Sequence, residues 1–238
     1  MAVCQGYRRQ ALDRGRMIRS TSEIEKLIDE IANNQQLSMN IYLIGGGALL
    51  YLKSKQMTKD IDLIVNSTRD YHTLRELLLT IGFQSIKPTP GLERTNLSDS
   101  LMRGDYRIDL FETKVCGCLQ LSDNMISRCI ERYSKDGLTL YTCSPEDIFL
   151  FKSVTEREGD AEDSMNLLRT NTFRWGDLLD EINNQMTLGD ASWISMTTER
   201  ILSMEGFTIP IRDSVKELEL KYMEKWADQF EKNHIGNE

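Results

Sequence analysis

Asp60 and Asp62 are the residues of this sequence best placed to do chemistry. They open an apolar run, DIDLIV. Side chains alternate faces along a strand, so acids at i and i+2 point the same way, about 6–7 Å apart. Ile61, Leu63 and Val65 point to the other face, where a core takes them. Two carboxylates forced side by side at one end of a buried strand repel each other unless a cation sits between them. That is how a divalent-metal site reads in sequence. Upstream, the run IYLI ends at Gly45, Gly46 and Gly47, and the helix-like ALLYLKSK follows. Glycine lets the backbone turn sharply and approach a ligand closely, and free N–H groups at the start of the next helix favour an anion such as phosphate.

A phosphate cradle beside a pair of metal-binding acids is the equipment for phosphoryl or nucleotidyl transfer. The segment is not a P-loop, because no Gly-Lys-Ser/Thr follows at the required spacing. Nor is it the dinucleotide fingerprint, which needs a glycine where Leu50 stands. GGG and DxD are each weak signals; strand–GGG–helix–strand–DxD, in that order and separation, is far more specific. Residues 94–112 predict a hairpin turning at Gly104-Asp105. On its second run Arg107, Asp109 and Phe111 alternate with Tyr106, Ile108 and Leu110. Asp109 reads either as an acid on the wet face of an edge strand or as a third carboxylate brought beside Asp60 and Asp62, giving three acids for two metals.

A second block, residues 144–168, opens on a helix start: Ser144 as N-cap, Pro145 at N1 and an acid at N3. Ile148, Phe149, Phe151 and Val154 supply an apolar side, and Lys152 falls among them. A lysine there either snorkels to the surface or reaches a phosphate as a point charge. Asp160 and Asp163 read as acids favoured at a helix N-terminus or as catalytic groups.

The blocks G-G-G-A-L, T-K-D-I-D-L and R-I-D-L-F together resemble the nucleotidyltransferase fold of the DNA polymerase beta superfamily. Within it, the chain is similar to the small bacterial and archaeal nucleotidyltransferases related to abortive-infection and toxin–antitoxin proteins. In that group a lysine-bearing helix is followed by an arginine and a D-x-x-D pair, matched here by Lys152, Arg157, Asp160 and Asp163. The resemblance covers roughly residues 23–170 and departs at the turn, where many members have Gly-Ser and this chain has only glycines. It implies that Asp60, Asp62 and Asp109 hold two Mg²⁺ ions and carry catalysis. It also implies that Gly45, Gly46, Gly47, Lys152 and Arg157 bind a nucleoside triphosphate, with Gly46 and Gly47 cradling its β/γ-phosphates. The implied acceptor is an RNA 3′ end such as tRNA, a protein hydroxyl or a small molecule. The implied setting is a toxin–antitoxin or defence system with a cognate antitoxin or toxin partner. Three alternatives stand beside this: a catalytically silent antitoxin or binding protein of the same fold, an adenylyltransferase acting on an aminoglycoside-like small molecule, and an acidic scaffold whose DxD is a solvated strand end.

The elements that must position these groups follow from periodicity and punctuation. Ser22-x-x-Glu25 predicts a capping box opening a helix with Ile24, Leu27, Ile28 and Ile31 on one face. Residues 68–81 predict a second amphipathic helix stopped at Gly82, and residues 138–142 a strand. Beyond residue 171 the pattern is helical only, over 177–185, 193–204 and 212–230. The expected fold is therefore α+β: a small mixed sheet with flanking helices, then a C-terminal helical segment. The expected division is a basic arm over 1–20, a nucleotidyltransferase core over 21–170 and the helical segment over 171–238.

The 238 residues are 40% hydrophobic, enough to bury a core. No segment approaches the roughly 20 apolar residues that span a membrane, and no apolar run marks a secretory signal. Five cysteines, an odd number in a chain of this size, do not make a disulfide framework, so a reducing cytoplasm is expected. Cys116-Gly-Cys118 lacks a second ligand pair, and neither His72 nor His234 has ligand-like neighbours, so no zinc is expected. A net charge of −8 argues against a protein that coats nucleic acid. The first twenty residues run the other way, with Arg8, Arg9, Arg14, Arg16 and Arg19 against Asp13 alone. Such an arm either holds an RNA backbone or is a disordered terminus.

Overall fold

Apolar, β-branched stretches flanked by glycine turns build the centre of the molecule. A computed structural model of the chain describes residues 17–34, 38–86, 99–155 and 157–235. Helix α1 (Thr21–Ala32) leads into strand β1 (Met39–Ile44), helix α2 (Gly45–Tyr51) and strand β2 (Asp60–Val65). Helix α3 (Thr68–Thr80) starts where Ser67 Oγ accepts from the Asp70 amide, a side-chain cap. It ends at Gly82, whose φ of +94° stops it. Strands β3 (Gln84–Ile86), β4 (Asp99–Arg103) and β5 (Tyr106–Glu112) follow, the last two joined at Gly104-Asp105 as the sequence predicts. Residues 94–98 of that predicted hairpin lie outside the described residues. A short ribbon, β6 (Lys114–Val115) and β7 (Leu119–Gln120), precedes helix α4 (Asp123–Arg128) and the hairpin β8 (Ile130–Lys135)–β9 (Leu138–Thr142). Five helices complete the chain: α5 (Pro145–Ser153), α6 (Glu158–Thr170), α7 (Trp175–Gln185), α8 (Ile194–Ser203) and α9 (Arg212–Ile235).

The main sheet has seven strands in the order β3-β4-β5-β2-β1-β9-β8. It is mixed: β2 runs parallel to β5 and β1 parallel to β9, while the other neighbours are antiparallel. The α+β architecture with flanking helices and a helical C-terminal stretch is thus the expected one. Ile61, Leu63 and Val65 are completely buried on one side of β2. Helix α2 packs on β1 and β2, α3 on β2 and β5, and α5 contacts α2, α6, α7 and α8. The C-terminal helices are tied in by polar bonds as well. Glu181 of α7 accepts from Ser122 Oγ at 2.8 Å and from Arg128 at 2.8 Å. Among the described residues no helix is long and apolar enough to cross a membrane.

Two local expectations are corrected. Helix α1 begins at Thr21, with Ser20 at the cap position. Ser20 makes no side-chain cap bond, and Glu23 Oε1 accepts from the Arg19 amide at 3.0 Å, so the helix start lies before Ser22 and the expected Ser22-x-x-Glu25 box does not form it. Ile18, assigned from sequence to the basic arm, is 1% exposed and belongs to the core. It exchanges both backbone hydrogen bonds with Thr58, at 2.8 and 2.9 Å. Arg8, Arg9, Arg14 and Arg16 lie outside the described residues.

Candidate active site

The carboxylates meet because β2 and β5 pair in parallel with Asp60 opposite Arg107 and Asp62 opposite Asp109. All four residues therefore face the same side of the sheet. The turn after β1 brings a backbone against them. Gly45 has φ +57°, and a Cβ there would lie 1.9 Å from Asp62 Oδ2. Only glycine lets the chain pass so close to that carboxylate. A Cβ on Gly46 would lie 2.1 Å from Thr58 Oγ1, whose hydroxyl donates to the Asp60 carbonyl at 3.2 Å. Gly47 is used differently: it seats α2 on β1, where a Cβ would press on Leu43 at 2.9 Å. Gly45 and Gly46 line a cavity of about 320 Å³, and Gly47 does not.

Asp60, Asp62 and Asp109 line the same cavity. Burial, then the nearby Asp109 and Asp60, push the Asp62 carboxyl up to about 7. Its ionised form lacks sufficient positive charge nearby.

The opposite wall carries that charge. Lys152 projects from α5, where Ser144 caps the helix by accepting from the Asp147 amide. It neither snorkels out nor points free into the cavity. Its Nζ lies 2.6 Å from Asp160 Oδ1 and 2.8 Å from Asp163 Oδ2, and all three side chains are buried. Burial disfavours the Lys152 charge, but the two acids outweigh it and raise its pKa. Asp160 is pushed up by burial and pulled further down by Lys152, Thr155 and Arg157, to about 2. These acids are thus buried counter-ions rather than a solvated cluster at the start of α6. The chain of alternating charge extends at both ends. Lys55 Nζ lies 2.9 Å from Asp163 Oδ1, and Arg157 Nε lies 2.8 Å from Asp160 Oδ2. Lys55 and Arg157 are the more exposed cations, with 34% and 60% of their side chains accessible. Lys55, Thr58 and Thr155 line the cavity as well and were not singled out from the sequence.

Arg107 is the other residue missed. Its Nε lies 2.9 Å from Asp109 Oδ1 and its Nη2 3.0 Å from Oδ2, while Ser100 Oγ donates to Oδ1 at 2.7 Å. The signal was in the alternation R-I-D, which puts Arg107 and Asp109 on one face of β5. Among the described residues no three His, Cys, Asp or Glu side chains are grouped to hold a metal ion. Asp109 is clasped through both oxygens by the Arg107 guanidinium. Asp60 and Asp62 nonetheless suit a divalent cation: both are hard oxygen donors on one face of β2, and both line the cavity.

A family model described as a nucleotidyltransferase of unknown function (DUF6036) matches residues 19–192. The chain belongs to this family. The matched span of the nucleotidyltransferase contains every residue that lines the cavity. Among solved structures, the nucleotidyltransferase is similar to ANT(2″)-Ia in complex with adenylyl-2″-tobramycin, at 14% identity and a TM-score of 0.42. That match covers 76% of this chain and 96% of the other. It is also similar to the lincosamide antibiotic adenylyltransferase LnuA bound to lincomycin, at 19% identity and a TM-score of 0.41, over 63% of this chain and 95% of the other. No curated protein sequence matches the nucleotidyltransferase.

Proposed function

We propose that the protein transfers a nucleoside monophosphate from a nucleoside triphosphate to a hydroxyl acceptor, releasing pyrophosphate, and that a divalent cation assists. The observation that carries this reading is the opposition of charges across one cavity. Asp60 and Asp62 line it from β2, and Lys55, Lys152 and Arg157 line it together with their partners Asp160 and Asp163. Asp60 and Asp62 would hold Mg²⁺, which when bound neutralises triphosphate oxygens and lowers the pKa of an acceptor hydroxyl. Arg157 and Lys55, the exposed cations, face the triphosphate. Lys152 fixes Asp160 and Asp163 behind them, so that wall keeps its shape as the ligand enters. Gly45 and Gly46 line the cavity and bring the backbone at the start of α2 against Asp62 and Thr58. Phosphoryl chemistry needs little covalent help, so the chain contributes alignment and electrostatics.

The acceptor we assign is a polymer, an RNA 3′ end such as tRNA ahead of a protein hydroxyl. The first twenty residues carry five arginines, and this segment enters the fold at Ile18, bonded to Thr58 on the cavity wall. A basic stretch leading to that wall suits a phosphodiester backbone. A cytoplasmic place and a toxin–antitoxin or defence role, with a cognate partner, follow from the cysteine content and from the resemblance of the motifs.

The test is a transfer assay with the full-length protein, each α-radiolabelled nucleoside triphosphate, Mg²⁺, and total cellular RNA and protein as acceptors. Label on RNA that disappears in Asp60→Asn/Asp62→Asn supports the reading. Label confined to small molecules would replace the acceptor, and no label from folded protein with any nucleotide would overturn the activity.

A further inference from the structure

We infer that Arg107 controls metal loading: it holds Asp109 out of coordination, so that the nucleotide-free protein takes one divalent cation, at Asp60 and Asp62, and not two. The inference rests on the metal-assisted reading above and concerns the number of ions and the residue that sets it.

The geometry is that of a closed clasp. Both guanidinium contacts to Asp109 are short, 2.9 and 3.0 Å, and engage both carboxylate oxygens. Such forked pairing is directional and stronger than a single charged hydrogen bond. Ser100, opposite Asp109 in the β4–β5 register, donates a third hydrogen bond at 2.7 Å. Arg107, Asp109 and Ser100 are all buried, although Asp109 also lines the cavity. The same Nε lies 3.9 Å from Asp60 Oδ1, which puts the guanidinium between the two acids.

Charge counting agrees. Asp60, Asp62 and Asp109 bring three negative charges and Arg107 one positive charge. On β2 and β5 the remainder is two, the charge of one divalent cation, while Lys55, Lys152 and Arg157 are set against Asp160 and Asp163. A second cation would stand against a buried positive charge that cannot deprotonate. Lysine would not serve in its place, because it lacks the planar fork that occupies both oxygens at once.

The experiment counts Mn²⁺ per chain by electron paramagnetic resonance on the full-length, nucleotide-free protein, with circular dichroism as a check on folding. One ion is expected for the native chain. Arg107→Gln is expected to bind two, the second at least about tenfold tighter than any second ion on the native chain. Arg107→Gln/Asp109→Asn should return to one. Asp60→Asn/Asp62→Asn, which leaves Arg107 in place, should bind none, so the test survives even if Arg107→Gln does not fold. Two ions on the native chain, one on folded Arg107→Gln, or an ion retained by Asp60→Asn/Asp62→Asn would overturn the inference while leaving metal assistance standing. No ion on the native chain would overturn both.

Discussion

Replacing Gly45 by alanine tests whether the glycine turn sets the position of Asp62. The new Cβ would lie 1.9 Å from Oδ2 and 2.5 Å from Cγ, whereas ordinary contact begins near 3.4 Å. The carboxylate must therefore retreat by more than an ångström. A second cost is conformational: at φ +57°, an L-residue is destabilised by roughly 1–2 kcal/mol. Gly104 separates these effects, because it has φ +58° and nothing within 4 Å of an added Cβ. Gly104→Ala should lower stability by about 1–2 kcal/mol, a Tm decrease of roughly 2–8 °C for a chain of this size, and leave transfer unchanged. Gly45→Ala should lower Tm at least as much and also slow transfer by about 100-fold, the scale of an ångström's misplacement at a reacting centre. Thermal unfolding by circular dichroism and initial rates at saturating nucleotide, taken well below both midpoints, read the two effects. If Gly45→Ala turns over as fast as Gly104→Ala, the close approach of Gly45 does not position Asp62 and the reasoning fails.

Asp62→Asn should abolish transfer yet raise Tm at pH 8 in EDTA. A carboxyl pushed up from 3.8 to about 7 weakens the fold once it ionises, by about 4 kcal/mol, and an unchanged or lower Tm would count against that burial. Lys152→Met leaves Asp160 and Asp163 buried without their shared cation. A loss of about 3–5 kcal/mol in urea unfolding is expected, with partial recovery in Lys152→Met/Asp160→Asn. The same pair predicts an acid limit. Asp160, held at about 2 against an ordinary 3.8, contributes about 2 kcal/mol that is fully present above pH 4 and disappears as pH falls toward 2. Unfolding curves across that window should show this slope in the native chain and a shallower one in Asp160→Asn.

What could be read along the chain was whatever is decided locally. The strand–glycine–helix–strand order, the i, i+2 spacing of Asp60 and Asp62 and the Ser144-Pro145 helix start each depend on a few neighbouring residues. Strand β8 could have been read too. Asp136 and Gly137 both have positive φ, and Asp-Gly is a strong hairpin signal. The strand was missed because its exposed sequence, IERYSK, carries no apolar alternation. The partners of Lys152 were not legible in the same way. Asp163 is shared with Lys55, 108 residues away, and no periodicity announces such a meeting. The phosphate contact that the resemblance implies for Lys152 said nothing of the two buried counter-ions the lysine holds.

The strand order also has a consequence for the newly made chain. Parallel neighbours need long crossovers, and contacts between distant residues form late in folding. Asp62 meets Asp109 only through the β2–β5 pairing, and β1 acquires its second neighbour only when β9 arrives. A nascent polypeptide that has emerged as far as Thr142 therefore displays Asp60, Asp62 and Asp109 but none of Lys152, Arg157, Asp160 and Asp163. An unfinished chain cannot hold a triphosphate between two walls, so synthesis itself delays the onset of activity until α5 and α6 have folded onto the sheet.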